Sequence, residues 1–311
     1  MEQQVHQYID QALGLIKSNE LSQAMTQLIE AKRLQLPVQD LDYVRGLCFV
    51  RMGRLGDARE ALKEELRHFP TNKAAEELLH DVLAEEAKSS SNTPASDDTE
   101  FNEMLEVIRP YTMLPLNRLY SLYQLTKQIC ERNIPGNFVE CGVAGGGSTA
   151  LMLLIIKKYS KTPRTFFACD SYEGMPTPTA EDTLENLAAD DTGWGTGTCA
   201  APESSVQEIC EQIGMSQHLR IVKGYFENTF PQVKQDMGQI AFLHIDCDWY
   251  ESTKTILNEV YDQVVPGTAI QVDDYGYWDG VGKALHEFEK ARGLTFKIEP
   301  LEGAAWFQKP L

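Results

Sequence analysis

Two short stretches carry the residues best suited to chemistry. In LHIDCDWYEST, residues 243–253, an apolar run from Ala241 to Ile245 ends on Asp246 and Asp248, two carboxylates at alternate positions. In AIQVDDYGYWDG, residues 269–280, a second apolar run closes on the adjacent pair Asp273 and Asp274. Both runs have the length and apolar content of buried strands. A lone acid at such a place is a helix cap or a solvated turn. Four acids at the ends of two consecutive strands point to a site that needs a cation, a proton acceptor, or both.

A third stretch, FVECGVAGGGST at residues 138–149, reads as a strand, a glycine-rich turn and the start of a helix. Such a turn lets backbone N–H groups approach a ligand beside the positive end of a helix. Cys141, Gly142, Val143, Ala144 and Ser148 would line that ligand. Glu140 makes the pattern E-x-G-x-x-x-G and not G-x-G-x-x-G. A negative charge there repels a pyrophosphate but suits the ammonium of an amino acid. Asp170, closing the next strand, stands where an acid can accept both hydroxyls of a ribose. Amino acid plus ribose favours S-adenosylmethionine. An NAD-dependent oxidoreductase is the rival, disfavoured by the same two features.

These residues need elements to position them. From residue 101 onward, apolar runs of strand length alternate with helical patterns, the mark of βαβ units around a mostly parallel sheet. Strands are expected at 138–143, 165–169, 220–223, 241–246, 269–272, 295–298 and 304–308, and helices at 148–159, 204–213, 251–264 and 282–292. The last two strands leave no room for a helix between them, so they should form an antiparallel hairpin. The fold class is therefore α/β, the Rossmann-like methyltransferase version of the doubly wound sheet, preceded by an all-α domain.

That domain, residues 1–88, shows helical spacing throughout and a repeat of about 34 residues. Ala12, Leu15, Leu21, Ala24 and Leu28 recur as Gly46, Phe49, Leu55, Ala58 and Leu62, and the turns KSNELSQA and RMGRLGDA correspond. The pattern resembles a pair of tetratricopeptide repeats with a further helix, residues 73–86, behind them. Such a pair either binds a protein partner or serves for packing and dimerisation. A polar, Ser-rich linker is expected at 89–100, leaving 101–311 as the catalytic domain.

The totals bound the function. The chain has 311 residues, 42% hydrophobic and 24% charged, enough for a real core. Its net charge of −18 argues against nucleic acid and anionic membranes, because both are held by Lys and Arg. No apolar run is long enough for a bilayer, and the first residues lack a signal peptide's basic start. Seven cysteines without a CxxC pair read as reduced thiols in a cytoplasmic protein.

The segments RPYTM, IPGNFVECGVAGGGS, DSYEGMP, KGYFENTFP, LHIDCDWYEST and VDDYG follow one another from about residue 109 to 310. In that order they resemble the macrocin O-methyltransferase family, whose members methylate sugar hydroxyls of macrolide and aminocoumarin antibiotics. The resemblance implies S-adenosylmethionine and Mg²⁺ as cofactors. It makes Asp246, Asp273 and Asp274 the Mg²⁺ ligands and Asp248 the general base. Three hard oxygen ligands do suit Mg²⁺, and a divalent ion makes four neighbouring carboxylates electrostatically tolerable. Alternation along a strand would aim Asp246 and Asp248 the same way. The resemblance further assigns Thr112 and Met113 to a segment closing over the methionine end of the cofactor. Ser171 and Gly174, beside Asp170 in DSYEGMP, belong to the same site. Ala144 departs from the family, which often carries a bulky aromatic there.

Tyr225 and Phe226 follow the third strand, where adenine lies in such folds, and read equally well as core. His244 is read as a structural histidine, with a supporting role at the site as the alternative. Residues 172–201 form a connection long enough to be a lid over the acceptor. The expected reaction is Mg²⁺-dependent methyl transfer to a hydroxyl of a natural product, first a sugar on a glycosylated scaffold, otherwise a polyketide or peptide hydroxyl. The rival from another class is a helical-repeat interaction protein whose methyltransferase domain binds ligand without turnover. A homo-oligomer is expected.

Overall fold

A computed structural model describes residues 2–34, 37–89, 97–184, 187–301 and 303–311. The chain divides into two compact units. One comprises Met1–Thr93, Met175–Pro178 and Leu184–Cys199; the other comprises Pro94–Gly174, Thr179–Thr183 and Ala200–Leu311. The helical unit thus contains most of the connection at 172–201. Much of the expected linker, 90–96, lies outside the described residues, and its last part is helical.

The helical unit is built from α1 (Glu2–Lys17), α2 (Leu21–Lys32), α3 (Leu41–Arg51), α4 (Leu55–His68) and α5 (Lys73–Ser89). Val5, Ile9, Ala12 and Ile16 lie at helical spacing and are buried, so one stripe of α1 faces the other helices. α1 packs on α2, α3 on α4, and α5 on α4. Close approach of α3 and α4 depends on Gly46, where a Cβ would lie 2.7 Å from Leu62 Cγ. The small residue marked by the repeat pattern thus sits at a helix crossing.

In the second unit the chain runs through α6 (Thr99–Ile108), α7 (Leu116–Glu131), β1 (Asn137–Cys141), α8 (Gly147–Tyr159), β2 (Phe166–Asp170), α9 (Glu203–Gln212) and β3 (Leu219–Lys223). It continues through α10 (Phe226–Met237), β4 (Ile240–Ile245), α11 (Tyr250–Val260), β5 (Ala269–Asp273), α12 (Asp279–Arg292), β6 (Glu299–Leu301) and β7 (Ala304–Gln308). The sheet order is β3-β2-β1-β4-β5-β7-β6. The first five strands are parallel, and β7 runs antiparallel to both neighbours. This is the expected α/β methyltransferase sheet with its terminal hairpin. Strand order reverses between β1 and β4, the place where open α/β sheets bind ligands.

Three details differ from the sequence reading. Helices α6 and α7 precede β1, where no element was expected. Helix α10 was concealed by Pro231 in its interior, which ordinarily argues against a helix. The strand expected at 295–298 is irregular, and pairing starts at Glu299. Phe296 instead stacks on Phe307 with ring centroids 4.1 Å apart, and its N–H donates to Glu289.

Asp98 caps α6 by accepting the N–H of Phe101 at 3.0 Å. Glu100 then ties three helices together. It accepts from Tyr123 at 2.8 Å, Lys127 at 2.9 Å and Tyr159 at 2.7 Å, and pairs with Lys158 at 2.5 Å. Burial opposes its ionisation, but hydrogen bonds from Lys158, Tyr159, Lys127 and Tyr123 outweigh burial and hold its carboxyl well below the usual range. A depressed folded pKa stabilises fully above the unfolded value, about 4.3. That contribution is lost as pH falls toward the folded one. Glu100→Gln should therefore cost about 1–2 kcal/mol at pH 7, allowing for partial exposure. Urea unfolding of both proteins should show the gap closing below about pH 4; a gap constant with pH would contradict the assignment.

Candidate active site

The acids gather where β1, β4 and β5 end. Glu140 of β1 is level with His244 of β4, which is level with Gln271 of β5. Beyond the strand end, the N–H of Asp246 donates to the Cys141 carbonyl at 2.8 Å. Asp273 is the last residue of β5, and Asp274 follows with φ +63°. Asp248 lies outside β4 altogether, at φ +61°. Strand alternation therefore does not explain how Asp246 and Asp248 come together; a left-handed turn before α11 does. Asp is among the few residue types that enter this region readily.

Asp273 is fully buried, and its Oδ1 accepts from Gln271 at 2.9 Å and lies 3.4 Å from His244 Nε2. Gln271 is itself fixed by Ser121, whose hydroxyl donates to it at 2.8 Å. His244 Nδ1 is 3.0 Å from Glu140, whose other oxygen accepts from Thr149. Burial opposes a charge on His244, but hydrogen bonds and charge from Asp273 and Glu140 raise its pKa well above the ordinary value. A protonated His244 is an ion-pair partner for both acids. Glu140 is buried with both oxygens engaged by these neighbours.

Arg118 of α7 is the second cation. Its Nη1 lies 3.2 Å from Asp274 Oδ1 and 3.5 Å from Asp273 Oδ2. Burial raises the pKa of Asp246, and the charges of Asp273 and Asp274 add to the effect. Asp248 is raised by burial and by Asp274, against a hydrogen bond from Trp278 Nε1 at 3.2 Å. Asp274 is raised by burial, partly offset by Arg118. Asp273 alone is held low: burial opposes this, but His244 and Arg118 outweigh it.

The arrangement fits a hard divalent cation. Oxygen and nitrogen atoms of His244, Asp246 and Asp273 all lie within 4.8 Å of one another. Asp273 Oδ2 is buried and accepts no hydrogen bond. His244 Nε2 is likewise buried without a hydrogen bond, 3.4 Å from Asp273 Oδ1; a hard ion such as Mg²⁺ nonetheless favours the carboxylate oxygens of Asp246 and Asp273, with Asp274 beside them, over an imidazole nitrogen.

The glycine-rich turn is crowded by the chain itself. A Cβ on Gly142, at φ +87°, would lie 1.5 Å from the Asp246 carbonyl oxygen. One on Gly147 would lie 2.5 Å from Thr112 Cβ, which places RPYTM directly against the start of α8. Asp170 Oδ2 accepts the N–H groups of Val143 at 2.7 Å and Ala144 at 3.1 Å, and its Oδ1 accepts that of Tyr172 at 2.7 Å. A carboxylate has about four acceptor positions, so Asp170 keeps capacity for about one ribose hydroxyl while it latches the turn.

Among the remaining expected residues, Cys141, Val143 and Ser148 are buried, and Thr112 and Met113 are half-buried. Ser171 donates to the Gly174 carbonyl at 2.8 Å, closing the turn after β2. Phe226 is buried at the start of α10 and packs edge-on against Phe230; Tyr225 stays half-exposed. Sequence reasoning missed Arg118, Trp278 and Asp182. Asp182, fully buried, accepts the N–H of Tyr250 at 2.7 Å, capping the helix that follows Asp248. Each reaches the acids only through tertiary packing, and no local motif marks it.

Comparison with known proteins gives a consistent picture. The family described as macrocin-O-methyltransferase (TylF) matches residues 52–309, starting inside the helical unit. A tetracenomycin rhamnosyl 4′-O-methyltransferase of Streptomyces olivaceus is 29% identical over 202 residues, 63% of this chain and 74% of that one. Demethyldecarbamoylnovobiocin O-methyltransferase of Streptomyces niveus is 31% identical over 203 residues, 63% of this chain and 75% of that one. Among solved structures, the O-methyltransferase NovP matches with TM-score 0.58 and 25% identity over 65% of this chain and 83% of its own. The calicheamicin methyltransferase CalS11 shares the fold, with TM-score 0.52 over 70% of this chain and 93% of its own.

The Gly142 contact yields a direct check. Gly142→Ala must displace the Asp246 carbonyl, so it should cost more than about 4 kcal/mol or prevent folding. Gly293→Ala, at a helix end with φ +62° and open space around it, should cost about 1 kcal/mol. Comparable melting temperatures for the two variants would contradict this packing.

Proposed function

The chain belongs to the macrocin O-methyltransferase family, and from that premise we propose that this O-methyltransferase moves the methyl group of S-adenosylmethionine to a hydroxyl oxygen of a natural product. The acceptor is a sugar hydroxyl on a glycosylated scaffold. The observation that carries this reading is the acid cluster at the switch point of the sheet, with Asp248 held beside it by Trp278. Relatives named as a rhamnosyl-tetracenomycin 4′-O-methyltransferase and a demethyldecarbamoylnovobiocin O-methyltransferase support the acceptor class.

Asp246, Asp273 and Asp274 would hold Mg²⁺. When bound, a divalent ion lowers the pKa of a hydroxyl brought beside it. Asp248 takes the proton of the attacking hydroxyl at Oδ2, while Trp278 orients Oδ1. Burial raises the Asp248 pKa, the direction that suits a base working near neutral pH. Asp170 would receive a ribose hydroxyl, and the turn from Cys141 to Ala144, with Ser148, Ser171 and Gly174, would shape the cofactor's bed. Glu140, with its two oxygens taken by Thr149 and His244, fixes Asp273 through His244 and is not free to meet the ammonium. Thr112 and Met113 would close over the methionine end, and Tyr225 would flank adenine. Residues that hold the hydroxyl in line with the methyl donor would supply much of the acceleration.

Calorimetry should show binding of S-adenosylmethionine or S-adenosylhomocysteine and none of NAD; the reverse would overturn the reading. The carboxylates should also separate kinetically. Asp246→Asn and Asp274→Asn should sharply raise the Mg²⁺ needed for half-maximal rate. Asp248→Asn should keep metal and cofactor affinity while kcat falls by roughly 10²–10⁴. Full activity in EDTA, or an Asp248→Asn enzyme as fast as wild type, would show that the division of roles is wrong.

A further inference from the structure

Helices α11 and α12 start beside the acids, and neither starts with a capping side chain of its own. The residues that precede them are Trp249 and Trp278, whose indoles donate hydrogen bonds but accept none. The two rings pack edge-on with centroids 4.9 Å apart. Trp278 Nε1 donates to Asp248 at 3.2 Å, and the Trp278 backbone N–H donates to the Asp274 carbonyl at 2.9 Å. Both cap positions are therefore given to rings that support the site, at the expense of the Ser, Thr, Asp or Asn that helix starts prefer.

Residues 179–183, in the same compact unit as these helices, supply what the cap positions lack. Asp182 is fully buried. Its Oδ1 accepts the N–H of Tyr250, the first residue of α11, at 2.7 Å. Its Oδ2 accepts the N–H and the hydroxyl of Thr179 at 2.7 and 2.9 Å. The same carboxylate abuts the first turn of α12: a Cβ on Gly280 would lie 2.3 Å from Asp182 Oδ1 and 3.1 Å from Tyr250 Cβ. Glycine ordinarily weakens a helix, so its presence here follows from the close approach of both helix starts to one buried acid. Thr183 donates to Asp279 at 2.6 Å, and Glu181 pairs with Lys283 at 2.5 Å, which ties the segment to α12 as well. A carboxylate at a helix N-terminus meets unpaired N–H groups and the positive end of the helix dipole.

We propose that Asp182 is a positioning residue: it sets the spacing between the starts of α11 and α12 and thereby holds Trp278 against Asp248. Asp248 lies two residues before Tyr250, and Trp278 lies two before Gly280, so the carboxylate grips each helix one turn or less from the residue it positions. Removing it frees the Tyr250 N–H and leaves the edge-on contact of Trp249 and Trp278 as the remaining link between the two cap positions. The value of this spacing for proton transfer rests on the reading of Asp248 as the base; the spacing itself does not.

Nitrogen–proton NMR of the indole groups of the full chain, with no ligand added, tests this independently of activity. The chain has four tryptophans, so single Trp→Phe variants assign the signals. Asp248→Ala gives the position of the Trp278 signal when its acceptor is gone. Asp182→Ala should move the Trp278 signal toward that position and speed exchange of its indole proton by about tenfold or more. Asp182→Asn, which keeps an oxygen for the Tyr250 N–H, should return both toward wild type. Gly280→Ala leaves the carboxylate in the chain but crowds its Oδ1, and should reproduce the Trp278 change. The signal of Trp306, on β7, should stay in place throughout. An unaltered Trp278 signal in Asp182→Ala would overturn the proposal, and so would an equal change at Trp306, which would mark general loosening. Should Asp182→Ala not fold, Gly280→Ala is read by the same two criteria. A failure of Asp248 as the base would leave these signals untouched.

Discussion

Carboxylates drawn together at the end of a parallel sheet repel one another, and the catalytic unit is organised around that repulsion. Two like charges 4 Å apart cost about 4 kcal/mol at an effective dielectric of 20. Asp273 escapes most of this because His244 and Arg118 both face it. Asp246, Asp248 and Asp274 do not, and all three lean toward the protonated form. The two protein cations thus leave the cluster short of positive charge. A divalent ion would supply what is missing, and hard oxygen donors would suit it. Residues packed behind the acids serve the same end: Ser121 holds Gln271, Gln271 holds Asp273, and Thr149 holds Glu140 against His244.

Much of this was legible in the sequence, for a definite reason. A buried parallel strand is a short apolar run, and its ligand-facing end is where that run stops. Asp246, Asp273 and Asp274 announce themselves there, as does the glycine turn after β1. Strand alternation does not account for the position of Asp248: the chain leaves the strand at Ile245 and turns left-handed at Asp248. What decides its position is a cap from Asp182 and a bond from Trp278, and neither has a local signature. Arg118 sits 155 residues before Asp273 on a helix the sequence reading did not place. Its role appears only when α7 is laid against the sheet. Pro231 hid α10, and the Phe296–Phe307 stack delayed the final hairpin.

The connection at 172–201 is the other place where sequence reasoning stopped short. Its length suggests a lid, and its composition gives no hint that its parts belong to different units. Trp194 is the clue that went unused: a large aromatic in a Gly- and Thr-rich loop must be buried somewhere. It is buried on α3, where the repeat pattern had marked Phe49. The repeats and the loop therefore explain each other. On the helical unit, the surface formed by Phe49, Arg45 and Arg54 carries the chain's own Trp194 and the carbonyls of Thr192 and Gly193.

The central claim is that the acids at the ends of β4 and β5 form a divalent-cation site. Anomalous diffraction from crystals grown with Mn²⁺ and S-adenosylhomocysteine tests it most directly, because it locates the ion without reference to turnover. One strong peak is expected about 2–2.5 Å from carboxylate oxygens of Asp246, Asp273 and Asp274, with Arg118 displaced or re-paired and His244 still between Glu140 and Asp273. A map with no peak at these three residues, under conditions where the enzyme is saturated with metal, would contradict it.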